Sequence, residues 1–375
     1  MPPSSTLAAR HERLRGALSS QALDALIVTS APNLRYLTNH NGSAGVLVAT
    51  ATHMHLIVDG RYVQSVRDRQ AGADACPTLE LHDVPASYDA ATIDVLAKLG
   101  VTTVGFEAAH VSVARHAWWS KTITAQGMGL ELRPTEGLVE RARVVKDASE
   151  IDVLRQAARR LTPVASAVLK ALQPGMTERQ VAGVIEAEIR AAGYERTSFD
   201  PIVASGPNAA LPHYRAGDRI IADGDMVVLD FGGVLDGYCS DLTRTVSIGE
   251  PSDELRRVYG AVLDAQQAAI HAIRPGNTSS AVDAAARDIL VECGLGDAFS
   301  HGTGHGLGLE IHEDPRLVRA ASHSPTTLEA GMVTTVEPGA YLPGWGGVRI
   351  EDDILVTDHG YEILTNVPRH LLVIG

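Results

Sequence analysis

No run of about 18 consecutive apolar residues occurs in the chain, so no membrane-spanning helix is expected. The N-terminus, MPPSSTLAARHERLRGAL, lacks the apolar core of a secretory signal, and a cytoplasmic protein is expected. Cysteine is scarce. Cys76, Cys239 and Cys293 form no C-x-x-C pair and cannot all be joined in intrachain disulfides, which fits a reducing compartment. Basic charge is also short: 32 Lys and Arg stand against 45 Asp and Glu, a net charge of −13. That balance argues against nucleic acid and against an anionic membrane as partners. No G-x-S-x-G is present, so the nucleophile elbow of a serine hydrolase is missing.

What is present is an ordinary globular composition, 45% hydrophobic and 21% charged, over 375 residues, enough for two or three domains. Residues 1–135 alternate strand-like and helix-like stretches. ALDALIVTS (22–30), AGVLVAT (44–50), HMHLIVDG (53–60) and TTVGFE (102–107) read as strands, and ATIDVLAKLG (91–100) as a helix stopped at Gly100. This is a self-contained α/β domain, and the linker-like RPTEGLVERARVVKDAS (133–149) follows it. The second domain is assigned to 136–375. It opens on a long helix with Ser149 as expected N-cap and a break or kink expected at Pro163.

A duplication runs through this second part. LQPGMTERQVAGVIEAEIRAAGY begins at Leu172 and IRPGNTSSAVDAAARDILVECGL at Ile273, with Pro174, Gly175, Thr177, Val181 and Gly193 matching Pro275, Gly276, Thr278, Val282 and Gly294. Each copy reads as helix, Pro-Gly turn, capping Thr, helix and Gly stop, followed by strands. Two related halves are therefore expected, with function between them.

Each half then carries a hairpin with facing acids. In DMVVLDFGGVLDGYCSDLTRTV (225–246), a turn centred between Leu235 and Asp236 sets Asp230 opposite Asp241. In GMVTTVEPGAYLPGWGGVRIEDDILV (331–356), a turn centred on Gly344 sets Glu337 opposite Glu351. Like charges about 5 Å apart repel by about 3 kcal/mol at an effective dielectric near 20, and a cation between them reverses the sign. Two such pairs in apolar strands point to four carboxylates around two divalent cations, held about 3.5–4 Å apart and sharing a hydroxide nucleophile.

The stretch HGTGHGLGLEIHEDP (301–315) adds three histidines. His301 and His305 have the spacing of a zinc helix, but Gly302, Gly304 and Gly306 make a helix implausible and no Glu follows His301. The glycines also miss the dinucleotide fingerprint, since Leu307 stands where its third glycine belongs. A loop giving clearance for a peptide is expected, with one histidine completing the carboxylate site and the others acting on substrate. His213, in SGPNAALPHY, reads from spacing alone as an ordinary surface residue.

Taken together, LDFGG, SDLTRT, HGTGHGLGLEIHE, TVEPG and VRIEDD, in that order, resemble the pita-bread metallopeptidases, and within them the aminopeptidase P and prolidase branch. The resemblance spans nearly the whole chain. It implies a creatinase-like α/β N-terminal domain and an α+β pita-bread catalytic domain with an internal pseudo-twofold duplication. It further implies two divalent metal ions, Mn²⁺ first, with Co²⁺, Fe²⁺ or Zn²⁺ as alternatives. Asp230 would bind one ion, Asp241 and Glu351 would bridge both, and His305 and Glu337 would complete the other. Glu337 would also exchange a proton with the bridging hydroxide. His213 and His312 match positions that assist the tetrahedral intermediate and the leaving proline nitrogen. His301 matches a histidine of the substrate pocket, and Arg349 an arginine behind the ligands. Period-2 alternation independently sets Arg349 on the face of Glu351.

The implied substrates are short proline-containing peptides, and the implied assembly is a homodimer. Prolidases commonly use an arginine shortly before the TVEPG strand; the comparable position here is near His323, with Arg316 and Arg319 close but unaligned. Xaa-Pro aminopeptidase is therefore the first expectation and Xaa-Pro dipeptidase the alternative. A metal-free creatinase-like hydrolase or a binding module would have lost ligands, and all five are kept. Methionine aminopeptidase shares the ligands but usually lacks the N-terminal domain.

Overall fold

Strands whose residues are almost all apolar need cover on both faces, and the first 143 residues are built that way. The computed structural model describes residues 1–375. It divides into two compact units, Met1–Arg143 and Val144–Gly375. In the first, the order is α1 (Ser4–Ser20), β1 (Ala25–Val28), α2 (Ala31–Thr38), β2 (Val46–Thr50), β3 (Met54–Val58), α3 (Gly60–Gln70), β4 (Leu79–Asp83), α4 (Tyr88–Leu99), β5 (Thr103–Glu107), α5 (Val113–Ala125) and β6 (Glu131–Thr135). The six strands form one mixed sheet in the order β4-β3-β2-β1-β5-β6. ALIV of β1 and VLVAT of β2 are buried throughout. The edge strand β4, LELHD, is partly exposed. Gly100 ends α4 in the left-handed region (φ +63°), as its position predicts. The short helix α6 (Glu140–Val144) follows β6.

The second unit contains α7 (Ala148–Ala171), α8 (Glu178–Ala191), β7 (Arg196–Thr197), β8 (Ile202–Ser205), β9 (Met226–Asp230), β10 (Gly233–Leu235), β11 (Tyr238–Cys239), β12 (Thr243–Ile248), α9 (Asp253–Ala272) and α10 (Ser279–Glu292). It continues with β13 (Gly304–Gly306), β14 (Glu313–Leu317), β15 (Val333–Val336), β16 (Gly339–Leu342), β17 (Gly346–Arg349), β18 (Asp352–Thr357), β19 (Gly360–Ile363) and β20 (Leu372–Ile374). The two halves repeat one plan. Strands run β12-β9-β8 in one sheet and β18-β15-β13 in the other. Thr177 and Thr278 both cap the second helix of their pair through a side-chain hydrogen bond. Both threonines also form an isolated bridge to a later segment, at Ile220 and at Thr327. Gly175 and Gly276 donate to Ile221 and Leu328, and both have positive φ. This is the pita-bread architecture with its internal duplication, preceded by an α/β domain.

Two local expectations need correction. The N-cap of α7 is Asp147, not Ser149: Asp147 Oδ1 accepts from the Glu150 amide and the Glu150 carboxylate accepts from the Asp147 amide, a capping box. Nor does Pro163 break α7, which continues through it to Ala171. The buried stripe Leu154, Ala157, Leu161, Val164 and Val168 continues across the exposed proline, and packing of that stripe outweighs the lost hydrogen bond.

The halves are stitched along β12. The Glu351 amide donates to the Thr243 carbonyl, and Thr245 Oγ1 and the Arg349 backbone exchange bonds of 2.9 and 3.1 Å. Arg244 crosses the seam to Asp352 at 2.8 Å, and neither side chain is more than 4% exposed. Because both capping threonines do the same work, Thr177→Ala and Thr278→Ala should each lower stability by about 1 kcal/mol in denaturant titrations. A loss at one position only would mean that the two halves do not share this anchoring.

Candidate metal centre

Each acid of the site stands where a strand stops. Asp230 is the last residue of β9, and Asp241 lies between β11 and β12. Glu337 interrupts β15 and β16, and Glu351 interrupts β17 and β18. His305 is the middle residue of β13. All five line one cavity with His213 and His312.

The second hairpin has the expected register. Val336 pairs with Asp352 and Gly339 with Arg349, which centres the turn on Gly344 and sets Glu337 across from Glu351. The first hairpin is shifted by two residues. Asp230 pairs with Thr243, not Asp241, because the turn is centred between Asp236 and Gly237. Both have positive φ, 44° and 76°, the signature of an Asp-Gly type I′ turn. A shift of two preserves the face, so Asp241 still reaches the cavity that Asp230 lines.

Donor atoms of Asp241, His305 and Glu351 all lie within 4.8 Å of one another. His305 Nε2 is 3.3 Å from Glu337 Oε1 and 3.9 Å from Asp241 Oδ2. Its Nδ1 is 3.0 Å from the Gly306 carbonyl, which fixes the proton there and turns the bare Nε2 toward the acids. Thr243 Oγ1 donates to Glu351 Oε2 at 2.6 Å, and Arg349 Nη2 to Asp230 Oδ2 at 2.5 Å. The other oxygens of these two acids, Glu351 Oε1 and Asp230 Oδ1, are buried without any hydrogen-bond partner. Buried acceptors are ordinarily satisfied, so these orphans beside a bare imidazole nitrogen fit a site for divalent cations.

The electrostatics agree. Burial first, and then neighbouring carboxylates, raise Asp241 and Glu351 well above the ordinary carboxylate range. Burial raises Glu337 to about 7. Burial also lowers His305 to about 3, which keeps it in the neutral, ligating form. Asp352 and Asp353, which complete the EDD triplet, differ from Glu351. Asp352 is neutralised by Arg244 and Arg369, while Asp353 accepts from the Asp241 amide and orients that turn.

His301, His213, His312 and Arg349 line a second, overlapping cavity with Arg316. The rings of His305 and His312 meet edge-on, 4.4 Å between centroids. His301 donates from Nδ1 to the Gly302 carbonyl, so its Nε2 accepts from Tyr341 Oη at 2.9 Å. Tyr341 Oη in turn accepts from Arg349 at 2.8 Å. Thus Arg349 clamps Asp230 with one nitrogen and steers His301 through Tyr341 with another. Residue-type spacing missed Tyr341, although the register held the signal: Gly339 opposes Arg349, so Tyr341 lies diagonally on the same face. It missed Thr243 as well, two residues beyond Asp241. His323 is exposed and lines neither cavity.

The glycines of residues 301–308 serve neighbouring strands more than a peptide. A Cβ on Gly304 would lie 2.1 Å from the Thr335 carbonyl oxygen, and one on Gly306 would lie 2.2 Å from that of Asp314. On Gly308 it would meet the Glu313 carboxylate at 2.8 Å. Glycine here lets β13 lie close enough to β14 and β15 to seat His305.

Residues 152–358 match the model of metallopeptidase family M24, and residues 10–145 match the creatinase/prolidase N-terminal domain. The chain belongs to metallopeptidase family M24. It is 39% identical over 363 residues to the uncharacterized peptidase YqhT of Bacillus subtilis, covering 97% of this chain and 99% of that one. An Xaa-Pro dipeptidase structure from Bacillus anthracis superposes with a TM-score of 0.92 at 38% identity, covering 98% and 100% of the two chains. An X-Pro aminopeptidase structure from Thermotoga maritima superposes at 0.85 and 33%, covering 97% and 99%. This M24 peptidase is therefore a metal-dependent hydrolase that uses divalent ions.

Gly304→Ala should cost the peptidase about 1–3 kcal/mol of stability and weaken its divalent-ion binding, because His305 moves with the strand. Thermal melts and metal titration check both effects; unchanged values would mean that the strand spacing tolerates a methyl group. The raised acids also predict a pH dependence. Their folded pKa values exceed the unfolded ones, so without metal the cluster favours the fold below about 4.5 and loses that stability as pH rises through about 7 for Glu337. The stabilisation conferred by divalent ions should accordingly grow from pH 5 to pH 8 in melts with and without chelator. A constant increment across that range would contradict the clustering of these charges.

Proposed function

We propose that the peptidase hydrolyses the Xaa-Pro bond of dipeptides. The observation that carries this reading is Arg316. It pairs with His305 across β13 and β14 and lines the cavity with His213, His301 and His312. A guanidinium at that spot suits the free carboxylate that only a C-terminal proline presents. The sequence favoured the aminopeptidase because Arg316 is not aligned with the expected position. Counting back from TVEPG crosses residues 318–332, which lie between β14 and β15, so the length of that connection sets the offset. The Xaa-Pro dipeptidase of Bacillus anthracis lends support. The aminopeptidase stays as the second reading through its likeness to the Thermotoga maritima X-Pro aminopeptidase.

In this reading Asp230, Asp241, His305, Glu337 and Glu351 hold two divalent ions, with Mn²⁺ favoured by four carboxylates and a single imidazole. The ions supply Lewis acidity and a hydroxide near neutral pH. Glu337, beside the ions, would take up and pass on a proton at its carboxylate during the reaction, as the family resemblance implies. His213 and His312, bordering the same cavity, donate to the developing oxyanion and to the departing proline nitrogen. Burial, followed by Arg316, lowers the pKa of His312, which favours the neutral imidazole for this work. His301 and Arg349 orient substrate and Asp230 respectively. Peptidase action in the cytoplasm as a homodimer completes the proposal; it rests on the family resemblance and on the three free cysteines.

The deciding measurement compares an Xaa-Pro dipeptide with an Xaa-Pro-Xaa tripeptide on Mn²⁺-loaded protein. The dipeptide should be the better substrate, and Arg316→Ala should raise its KM by about 10- to 100-fold, the worth of a charged hydrogen bond. Turnover confined to the tripeptide would replace this reading with the aminopeptidase, and cleavage of neither would reject the Xaa-Pro specificity.

A further inference from the structure

The N-terminal unit contains a second cluster of metal-binding side chains, built from HMHLIV and LELHD. β3 and β4 are parallel, with His55 paired to Glu80 and Ile57 to His82. Alternation puts His53 and His55 on one face of their segment, and Glu80 and His82 on the adjoining face of β4. β4 is the edge of the sheet, so the cluster borders solvent on one side. His55 is 3% exposed and is the only polar residue of β3, whose other members are Met54, Leu56, Ile57 and Val58.

The three donor atoms form a compact triangle. His55 Nδ1 lies 3.2 Å from His82 Nε2 and 3.3 Å from Glu80 Oε2, and the third side is 4.0 Å. Tetrahedral ligands about 2.0–2.1 Å from an ion stand about 3.3 Å apart, which the two short sides match. Hydrogen bonding serves this group poorly. His55 Nδ1 can give its proton to only one of two neighbours, and His82 Nε2 and Glu80 Oε2 then face each other unbridged. An ion serves all three lone pairs at once. His53 Nε2 approaches Glu80 Oε1 at 3.7 Å and its ring lies 5.9 Å from that of His55, within reach of a fourth position. Burial lowers the pKa of His55 and His82, the neutral state that a ligand requires. The charges acting on His82 are Glu80 and Asp83, which oppose the ammonium of Lys98.

We propose that His55, Glu80 and His82 bind one transition-metal ion, Zn²⁺ or a close relative, with His53 or water as fourth ligand, pinning edge strand β4 to β3. The donor set is mostly imidazole, unlike the carboxylate-rich centre of the second unit, so it prefers Zn²⁺ to Mn²⁺. The site stands apart from the peptidase chemistry and does not depend on it.

Elemental analysis of the full chain after Zn²⁺ loading and desalting tests the proposal. Glu80→Gln and His82→Gln, both at partly exposed positions, are compared with the wild type after circular dichroism has verified their fold. Wild type should retain one more equivalent of Zn²⁺ than either variant, and the Mn²⁺-dependent activity of all three should be equal. Zn²⁺ should also raise the Tm of wild type more than that of the variants. Equal Zn²⁺ content in wild type and both variants would overturn the site.

Discussion

Like charges crowded out of water are the constraint around which the second unit is organised. Asp230, Asp241, Glu337 and Glu351 line one cavity, and in low dielectric they cannot all ionise without a counter-charge. Each is therefore positioned by a neighbour, and only Asp230 by an opposite charge. Thr243 grips Glu351, Arg349 grips Asp230, Thr335 donates to Glu337, and the Asp353 carboxylate fixes the Asp241 amide. The seam along β12 keeps the donors of both halves at working distance, and the buried Arg244–Asp352 pair locks that seam. Removing one member of such a pair leaves a bare charge inside, so the seam is stiff against change.

The duplicated plan was legible because the same local chemistry occurs twice. Pro-Gly, a capping Thr and a terminal Gly each have a physical meaning that a single sequence carries. The second hairpin was equally legible, since its apolar strands and Gly344 admit one register. The first hairpin differs by two residues from a turn centred between Leu235 and Asp236, because Asp236-Gly237 forms the turn instead. Even so Asp230 and Asp241 line one cavity, since a two-residue shift leaves every side chain on its own face.

Other features were hidden for a different reason: they depend on what packs alongside. The exposed Pro163 is tolerated because the buried stripe of α7 continues past it. The clearance around Gly304 and Gly306 is against backbone oxygens of strands far away in sequence. Tyr341 links Arg349 to His301 only once its hairpin is folded. Arg316 joins the cavity through its pairing with His305 across β13 and β14. Spacing along the chain records periodicity, and it does not record which distant carbonyl will be a neighbour.

The Arg349–Asp230 contact has a consequence for what the cavity admits. Two divalent ions would cancel four carboxylates, and the neutral His305 adds nothing to the count. The guanidinium of Arg349, buried beside them, would then offset the charge of the shared hydroxide, and Arg316 lines the neighbouring border. A cavity so balanced favours a guest's carboxylate at the Arg316 border without opposing an ammonium elsewhere on the same guest. The arginine that holds the site together thereby also keeps its charge in balance.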